Sequence, residues 1–224
     1  MKPDALAHAQ PPVCVLKFGS SVLADEADYS AAAQEVFRHV RRGEKVIAVV
    51  SALAGETDAL LAQGERVGGE GADPHPAFLA RLARVGELQS AALMGLALAR
   101  VGLRTRVLDP DEMGLMAEGD PLDANLVSVD ADGLNAALVS HEVLVVPGFT
   151  AQHAKHGVVT LGRGGTDLTA VFFAARVGAA RVRLIKDVDG VYAEDPAKNP
   201  DAERYAELSY EKAEEASKGL IQPK

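Results

Sequence analysis

Four short apolar runs, Val13 to Phe18, Val46 to Val50, Val143 to Val146 and Val182 to Ile185, constrain the fold of this chain more than any other feature. Val13 to Phe18 and Val46 to Val50 are nearly continuous apolar runs, which is the pattern of strands covered on both faces, and the other two are further strand candidates. Such strands lie in parallel sheets with helices above and below, and the intervening segments fit that role. Tyr29 to Arg42 has helical spacing and ends at Gly43, a good C-terminal cap, with Arg38, Arg41 and Arg42 near the negative end of the helix dipole. The long apolar-periodic segment Ala77 to Val101 reads as one or two helices, Asp167 to Val177 as another, and Tyr210 to Lys218 as the last. Arg104 to Leu108 adds a strand candidate, and Pro147-Gly148 stops the run that precedes it. The expected fold class is α/β, an open, largely parallel α/β/α sandwich.

Composition agrees with helix-covered strands, since Ala, Val and Leu dominate the apolar content while Trp is absent and there are only 4 Tyr and 6 Phe. A chain of 224 residues supports one sizeable core, so one domain is the default. Residues 1–12 read as a flexible leader ending at Pro11-Pro12, and Gly68 to Pro76 as a polar loop. No period of 20 to 50 residues recurs, which excludes solenoids and propellers.

The formal net charge of -9 repels polyanions, so nucleic acid is not an expected partner. No basic-then-apolar leader opens the chain and no run of about 18 apolar residues occurs, so a cytoplasmic protein without membrane insertion is expected. The single Cys14 lies within an apolar run and reads as a small core residue. His153 and His156 flank Lys155 without helical register or a nearby Cys, and read as solvated rather than metal-binding.

Three glycine-containing turns follow expected strands: Lys17-Phe18-Gly19-Ser20-Ser21, Ser51-Ala52-Leu53-Ala54-Gly55 and Gly162-Arg163-Gly164-Gly165-Thr166-Asp167. In an open α/β sheet, ligands bind beyond the carboxyl ends of the strands, so loops of this kind can converge. Glycine lets backbone N–H groups approach phosphate oxygens, a following helix N-terminus adds positive potential, and Ser20 and Ser21 add hydroxyl donors. Any one such loop is more often an ordinary turn, but three together favour a phosphate site. None is a Walker A loop or a dinucleotide fingerprint, so the phosphate lysine must come from elsewhere. Lys17, closing an otherwise apolar strand, is the candidate.

Lys17-Phe18-Gly19, Val50-Ser51-Ala52 with Thr57-Asp58, Gly86-Glu87, Pro147-Gly148-Phe149, Thr160 to Asp167, and Asp187-Val188-Asp189-Gly190-Val191-Tyr192 with Asp195-Pro196 carry a resemblance in their order and spacing. Together they resemble the catalytic domain of the aspartokinases, a branch of the amino-acid kinase family, over almost the whole chain from Val13. The resemblance implies that residues 13–224 form an amino-acid kinase domain. In the family that domain continues into further strand structure, and in some members into a regulatory module or a homoserine dehydrogenase. It also implies a homodimer.

The implied reaction is transfer of the ATP γ-phosphoryl group to the side-chain carboxylate of L-aspartate. The product is 4-phospho-L-aspartate, the first step towards lysine, threonine and methionine, and Mg²⁺ is carried on the phosphates rather than in a protein site. By the same resemblance Lys17 neutralises the transferring group and Asp167 organises that lysine. Gly19, Ser20, Ser21 and Ser51 donate to phosphate oxygens, while Lys186, Asp187 and Tyr192 lie on the nucleotide side. Arg163 clamps the α-carboxylate and Glu87 takes the α-ammonium, with Thr57, Gly164, Gly165 and Thr166 completing the substrate side. For Glu87 the bland reading is a solvated charge on a helix face, and for Lys17 a strand-end lysine reaching to water.

The chain departs from the aspartokinase pattern at four places. Its first loop is one residue shorter and resembles that of glutamate 5-kinase; Lys186 stands where Thr is usual; Ala197 replaces an Arg; and Gly219 aligns with an ATP-contacting lysine. Two other readings therefore stay open: a non-catalytic regulatory domain of a fused enzyme, and a sister kinase acting on glutamate.

Overall fold

The computed structural model describes residues 11–69, 75–194 and 196–217. Their elements run β1 (Val13–Phe18), α1 (Asp28–Arg41), β2 (Lys45–Val50), α2 (Glu56–Gly68), α3 (Pro76–Arg100), β3 (Thr105–Val107), β4 (Met116–Asp120) and β5 (Asp123–Ser128). They continue through α4 (Ala131–Ser140), β6 (Val143–Pro147), β7 (Thr150–His153), β8 (Gly157–Thr160), α5 (Gly165–Val177), β9 (Arg181–Ile185) and α6 (Tyr210–Ser217).

The apolar runs form one five-stranded sheet in the order β3-β6-β2-β1-β9, parallel throughout. Because successive strand residues point to opposite faces, each run feeds two cores. Leu16, Phe18, Val46, Ala48 and Val50 pack with Tyr29, Ala33 and Val36 of α1 and Met94 and Leu98 of α3. Val15, Ile47, Val49, Leu144 and Val146 pack with Ala170, Phe173 and Val177 of α5 and Leu134 and Leu138 of α4. The outcome is the open parallel α/β/α sandwich expected from the sequence.

A second, four-stranded sheet in the order β5-β4-β7-β8 was not foreseen. Two antiparallel hairpins, β4–β5 and β7–β8, meet along a short parallel contact between β4 and β7. Leu115, Ala117, Ala151 and Val159 tie this sheet to the α5 side of the core. Helix α2 was also missed. The expected loop is bounded by Gly68, the last residue of α2, and Pro76, the first of α3, while residues 70–74 lie outside the described residues. The leader up to residue 10, Asp195, Lys218 and Gly219 likewise lie outside them. Segment Ala77 to Val101 forms the single helix α3, opened by Pro76 in its first turn, where the missing N–H costs nothing. Among the described residues no helix is long and apolar enough to cross a membrane.

Candidate active site

The carboxyl ends of β1, β2 and β6 and the N-terminus of α5 surround a cleft of about 250 Å³. Lys17, Ser20, Ser51, Thr57, Glu87, Arg163, Gly164, Gly165, Thr166 and Asp167 all line it, so the three glycine loops converge as expected. Gly19 does not line the cleft itself but backs it, since a Cβ there would collide with the Lys17 ammonium. Ser21 is exposed and outside the lining, as is Asp187. Tyr192 is also outside it; its hydroxyl donates to Asp189 Oδ1 at 2.5 Å, and Asp189 is in turn paired with Arg204. Lys186 reaches the site through Asp167 instead of the cleft wall.

Lys17 is no solvated strand end. Its side chain is 6% exposed, and its ammonium stands 2.6 Å from Asp167 Oδ1. Lys186 donates to Asp167 Oδ2 at 3.0 Å, so one carboxylate holds two cations. Asp167 sits in the first turn of α5, where the helix dipole also favours a negative charge. Burial pushes its carboxyl up, but the hydrogen bonds and charges of Lys17 and Lys186 outweigh this and hold it below the usual range. Burial lowers the Lys17 pKa; Asp167 opposes that shift and Lys186 adds to it.

Glu87 is buried, at 2% exposure, which overturns the solvated-charge reading. Gly86 makes this possible: a Cβ there would lie 3.0 Å from that of Ala52 and 3.1 Å from Glu56 Cγ, so α3 can pass tightly under the second loop. Burial raises the Glu87 pKa to about 8, with the Ala52 N–H and the Lys17 charge pulling the other way. Glu87 Oε2 and Ser51 Oγ are both buried in the cleft without a hydrogen-bond partner among the described residues. Two buried polar groups at one cleft that lack protein partners suit a polar ligand that would satisfy them.

Phe149, Ala52, Leu53, Gly55, Asp58 and Gly162 line the cleft as well and were not singled out from the sequence as site residues. Phe149 adopts φ +61°, a left-handed conformation rare for a bulky side chain. Its N–H donates to Thr169 Oγ1 at 3.3 Å, and Gly148 and Gly165 leave no room for a Cβ against Thr166 and Leu161. The Pro147-Gly148-Phe149 turn is thereby locked onto the start of α5. The Pro147-Gly148-Phe149 motif was the hint of this in the sequence.

At the opposite end of the sheet, ligand-type atoms of Cys14, His39 and Glu44 lie within 4.8 Å of one another. Arg183 donates to His39 Nε2 at 2.9 Å, which puts the ring proton on Nδ1, facing Glu44 Oε2 at 2.5 Å. Arg181 pairs with the other oxygen of Glu44, so the group acts as an ionic brace between α1 and β9. Cys14 is 1% exposed, the core residue it was read to be. His153 and His156 stack at 4.6 Å in the β7–β8 turn, where His153 Nδ1 accepts the N–H groups of Lys155 and His156.

The family described as "Amino acid kinase family" matches residues 12–224. This chain belongs to that family. Within it, the chain is 35% identical to an aspartokinase of Helicobacter pylori over 88% of its own length and 48% of that protein's. It therefore spans about half the length of the curated relatives it matches. An aspartate kinase structure from Synechocystis is 27% identical with a TM-score of 0.77, covering 94% of this chain and 34% of that one. The fold is also that of E. coli aspartokinase III, solved in complex with aspartate and ADP, at a TM-score of 0.82 and 23% identity over 92% of this chain and 56% of that one.

Proposed function

We propose that this amino acid kinase domain transfers the γ-phosphoryl group of ATP to the side-chain carboxylate of L-aspartate, giving 4-phospho-L-aspartate. The observation that carries the reading is the Lys17–Asp167 pair at the meeting point of three glycine loops, in one cleft with Arg163 and the orphaned Glu87. The aspartokinases among its relatives support the choice of acceptor.

A carboxylate is already a nucleophile at neutral pH, so the domain needs alignment and charge cancellation and no strong base. Lys17 would face the transferred group, and Gly19, Ser20 and Ser51 would donate to phosphate oxygens. Asp187 and Tyr192, which follow β9, would lie towards the nucleoside. Arg163 would clamp the α-carboxylate as a bidentate partner and Glu87 would receive the α-ammonium, with Thr57 and the Gly164 to Thr166 turn shaping the space between. Both carboxylate oxygens of Asp167 are engaged by lysines, and Asp58 is the one further aspartate lining the cleft among the described residues. That donor set fits Mg²⁺ held chiefly by phosphate oxygens, where it would cancel negative charge. The intact Lys17–Asp167 pair favours a catalytic over a purely regulatory domain.

The test is incubation with ATP, Mg²⁺ and either L-aspartate or L-glutamate, with hydroxylamine to trap an acyl phosphate. Hydroxamate from aspartate that falls by about a hundredfold or more in Lys17→Ala supports the reading. Product from glutamate alone moves the chain to the sister reaction, and ATP binding without product to a regulatory one.

A further inference from the structure

Glu87 sits near the middle of α3, and the groups around its carboxyl do little to support a charge. The charged and titratable ones come from four elements. From β1, Lys17 is committed to Asp167 at 2.6 Å. From α1, Tyr29 donates its hydroxyl to Ser90 Oγ at 2.7 Å, one turn further along α3, and not to Glu87. From α2, Glu56 brings its Cγ to 3.1 Å from where a Cβ on Gly86 would lie, and Asp58 adds a second carboxylate to the cleft. From the turn into α5, Arg163 and Asp167 line the same cleft, and among the described residues no cation is ion-paired with Glu87.

The Ala52 N–H is the hydrogen-bond donor Glu87 has, and its Oε2 has no partner among the described residues. A carboxyl at 2% exposure with one donor and no paired cation favours its neutral, protonated form, since burial penalises the charge. It ionises at little cost only when a positive charge is brought to it. The cleft supplies none of its own, so the charge has to arrive on the ligand.

We propose that acceptor binding is linked to proton release: Glu87 gives up its proton to solvent as the α-ammonium of the amino acid arrives, one proton for each acceptor bound near neutral pH. The inference rests on the acceptor reading above. In this step the O–H bond of Glu87 breaks, the electron pair stays on the carboxylate, and the incoming ammonium, which keeps its own protons, compensates the new charge through a charge-assisted hydrogen bond. Proton and acceptor then compete for one carboxylate. Because burial raises its pKa to about 8, affinity for the acceptor rises about tenfold per pH unit below that value and levels off above it.

The test titrates L-aspartate calorimetrically into the purified chain with ADP and Mg²⁺ present, in PIPES and in imidazole, whose ionisation enthalpies differ. The dependence of the binding enthalpy on the buffer counts the protons, and the expected count is about one per aspartate at pH 6.5. In turnover followed by ADP release, KM for L-aspartate should fall about tenfold from pH 6 to 7 while kcat changes by less than about twofold. Glu87→Gln has no proton to give up, so its KM should be flat over that range. Succinate, which keeps both carboxylates but lacks the ammonium, should release no proton from the wild type. Aspartate that binds without releasing a proton overturns the inference and leaves the kinase reading standing. Equal release with succinate, or an undiminished pH slope in the Gln variant, does the same. A wild type that binds ADP but no L-aspartate overturns the choice of acceptor alone, and L-glutamate, which carries the same α-ammonium, then decides the proton count. Binding of neither amino acid overturns both.

Discussion

Gly19 lies so close to the Lys17 ammonium that a Cβ on it would occupy the same space. What would have to yield is the flexible end of a lysine, because Gly19 is not held at positive φ. Gly19→Ala should therefore change the melting temperature little while moving the Lys17 ammonium off Asp167. Hydroxamate formation should fall about tenfold or more with the fold intact, since misplacement by about 1 Å can cost two orders of magnitude. A variant that melts and turns over like wild type removes Lys17 from its assigned role.

Arg163 projects from the Gly162–Gly165 turn, is exposed, and among the described residues has no carboxylate partner. Its removal should leave stability within about 0.5 kcal/mol, as for other surface positions. KM for L-aspartate should instead rise about 10- to 100-fold in Arg163→Ala, the loss of a charge-assisted pair, with ATP binding unchanged. Steady-state kinetics with each substrate varied in turn checks this, and an equal rise for both substrates would count against an α-carboxylate clamp.

How much of this was legible in the sequence depends on whether a residue's role is local. Val13 to Phe18 and Val143 to Val146 announced themselves because both of their faces are buried. Strand β4 was invisible because Glu118, Gly119 and Asp120 are exposed and leave no apolar run. Helix α2 was missed for a related reason, as none of its residues is fully buried. At the site, the glycine loops and Lys17 could be read, while the left-handed Phe149 and the burial of Glu87 are set by how α3 and α5 pack against the loops. Lys186 was placed on the nucleotide side by resemblance and marked as a departure from the pattern, but its contact with Asp167 was not foreseen. Its bond to Asp167 joins residues 19 apart in sequence on different elements, a distance that no local signal spans.

Glu87 gives the protein a pH dependence of definite sign. Its carboxyl titrates near 4.5 when unfolded and at about 8 in the fold, so between those values the native state binds the extra proton. The stability associated with Glu87 is fully present below about pH 4.5 and is lost as pH rises through about 8, at up to ~1.4 kcal/mol per pH unit. Glu87→Gln keeps a neutral, isosteric amide there and should flatten that part of the profile. Urea unfolding midpoints of the two proteins from pH 5 to 8.5 test it. Parallel curves would mean that Glu87 is already ionised in the folded protein.

Replacing Asp167 by Asn leaves two ammoniums facing one another with no counter-charge. Breaking a buried pair by removing one partner costs about 3 kcal/mol or more, and the partial exposure of Lys186 places this site at the lower end. The deficit should itself depend on pH. The Lys17 pKa is lowered even with Asp167 present, and without that carboxylate nothing opposes burial and Lys186, so it drops further. The unfolded chain then binds more protons than the native state as pH rises towards the ordinary lysine value, and the variant gains stability relative to wild type over that range. At the acid end the wild type loses ground instead, because the depressed Asp167 carboxyl contributes stability only above its unfolded value and gives it up as pH falls through the folded one. Chemical denaturation of both proteins at pH 3, 7 and 9.5 should therefore show the widest gap near pH 7, and a gap constant across the three would exclude Asp167 as the counter-charge of the two lysines.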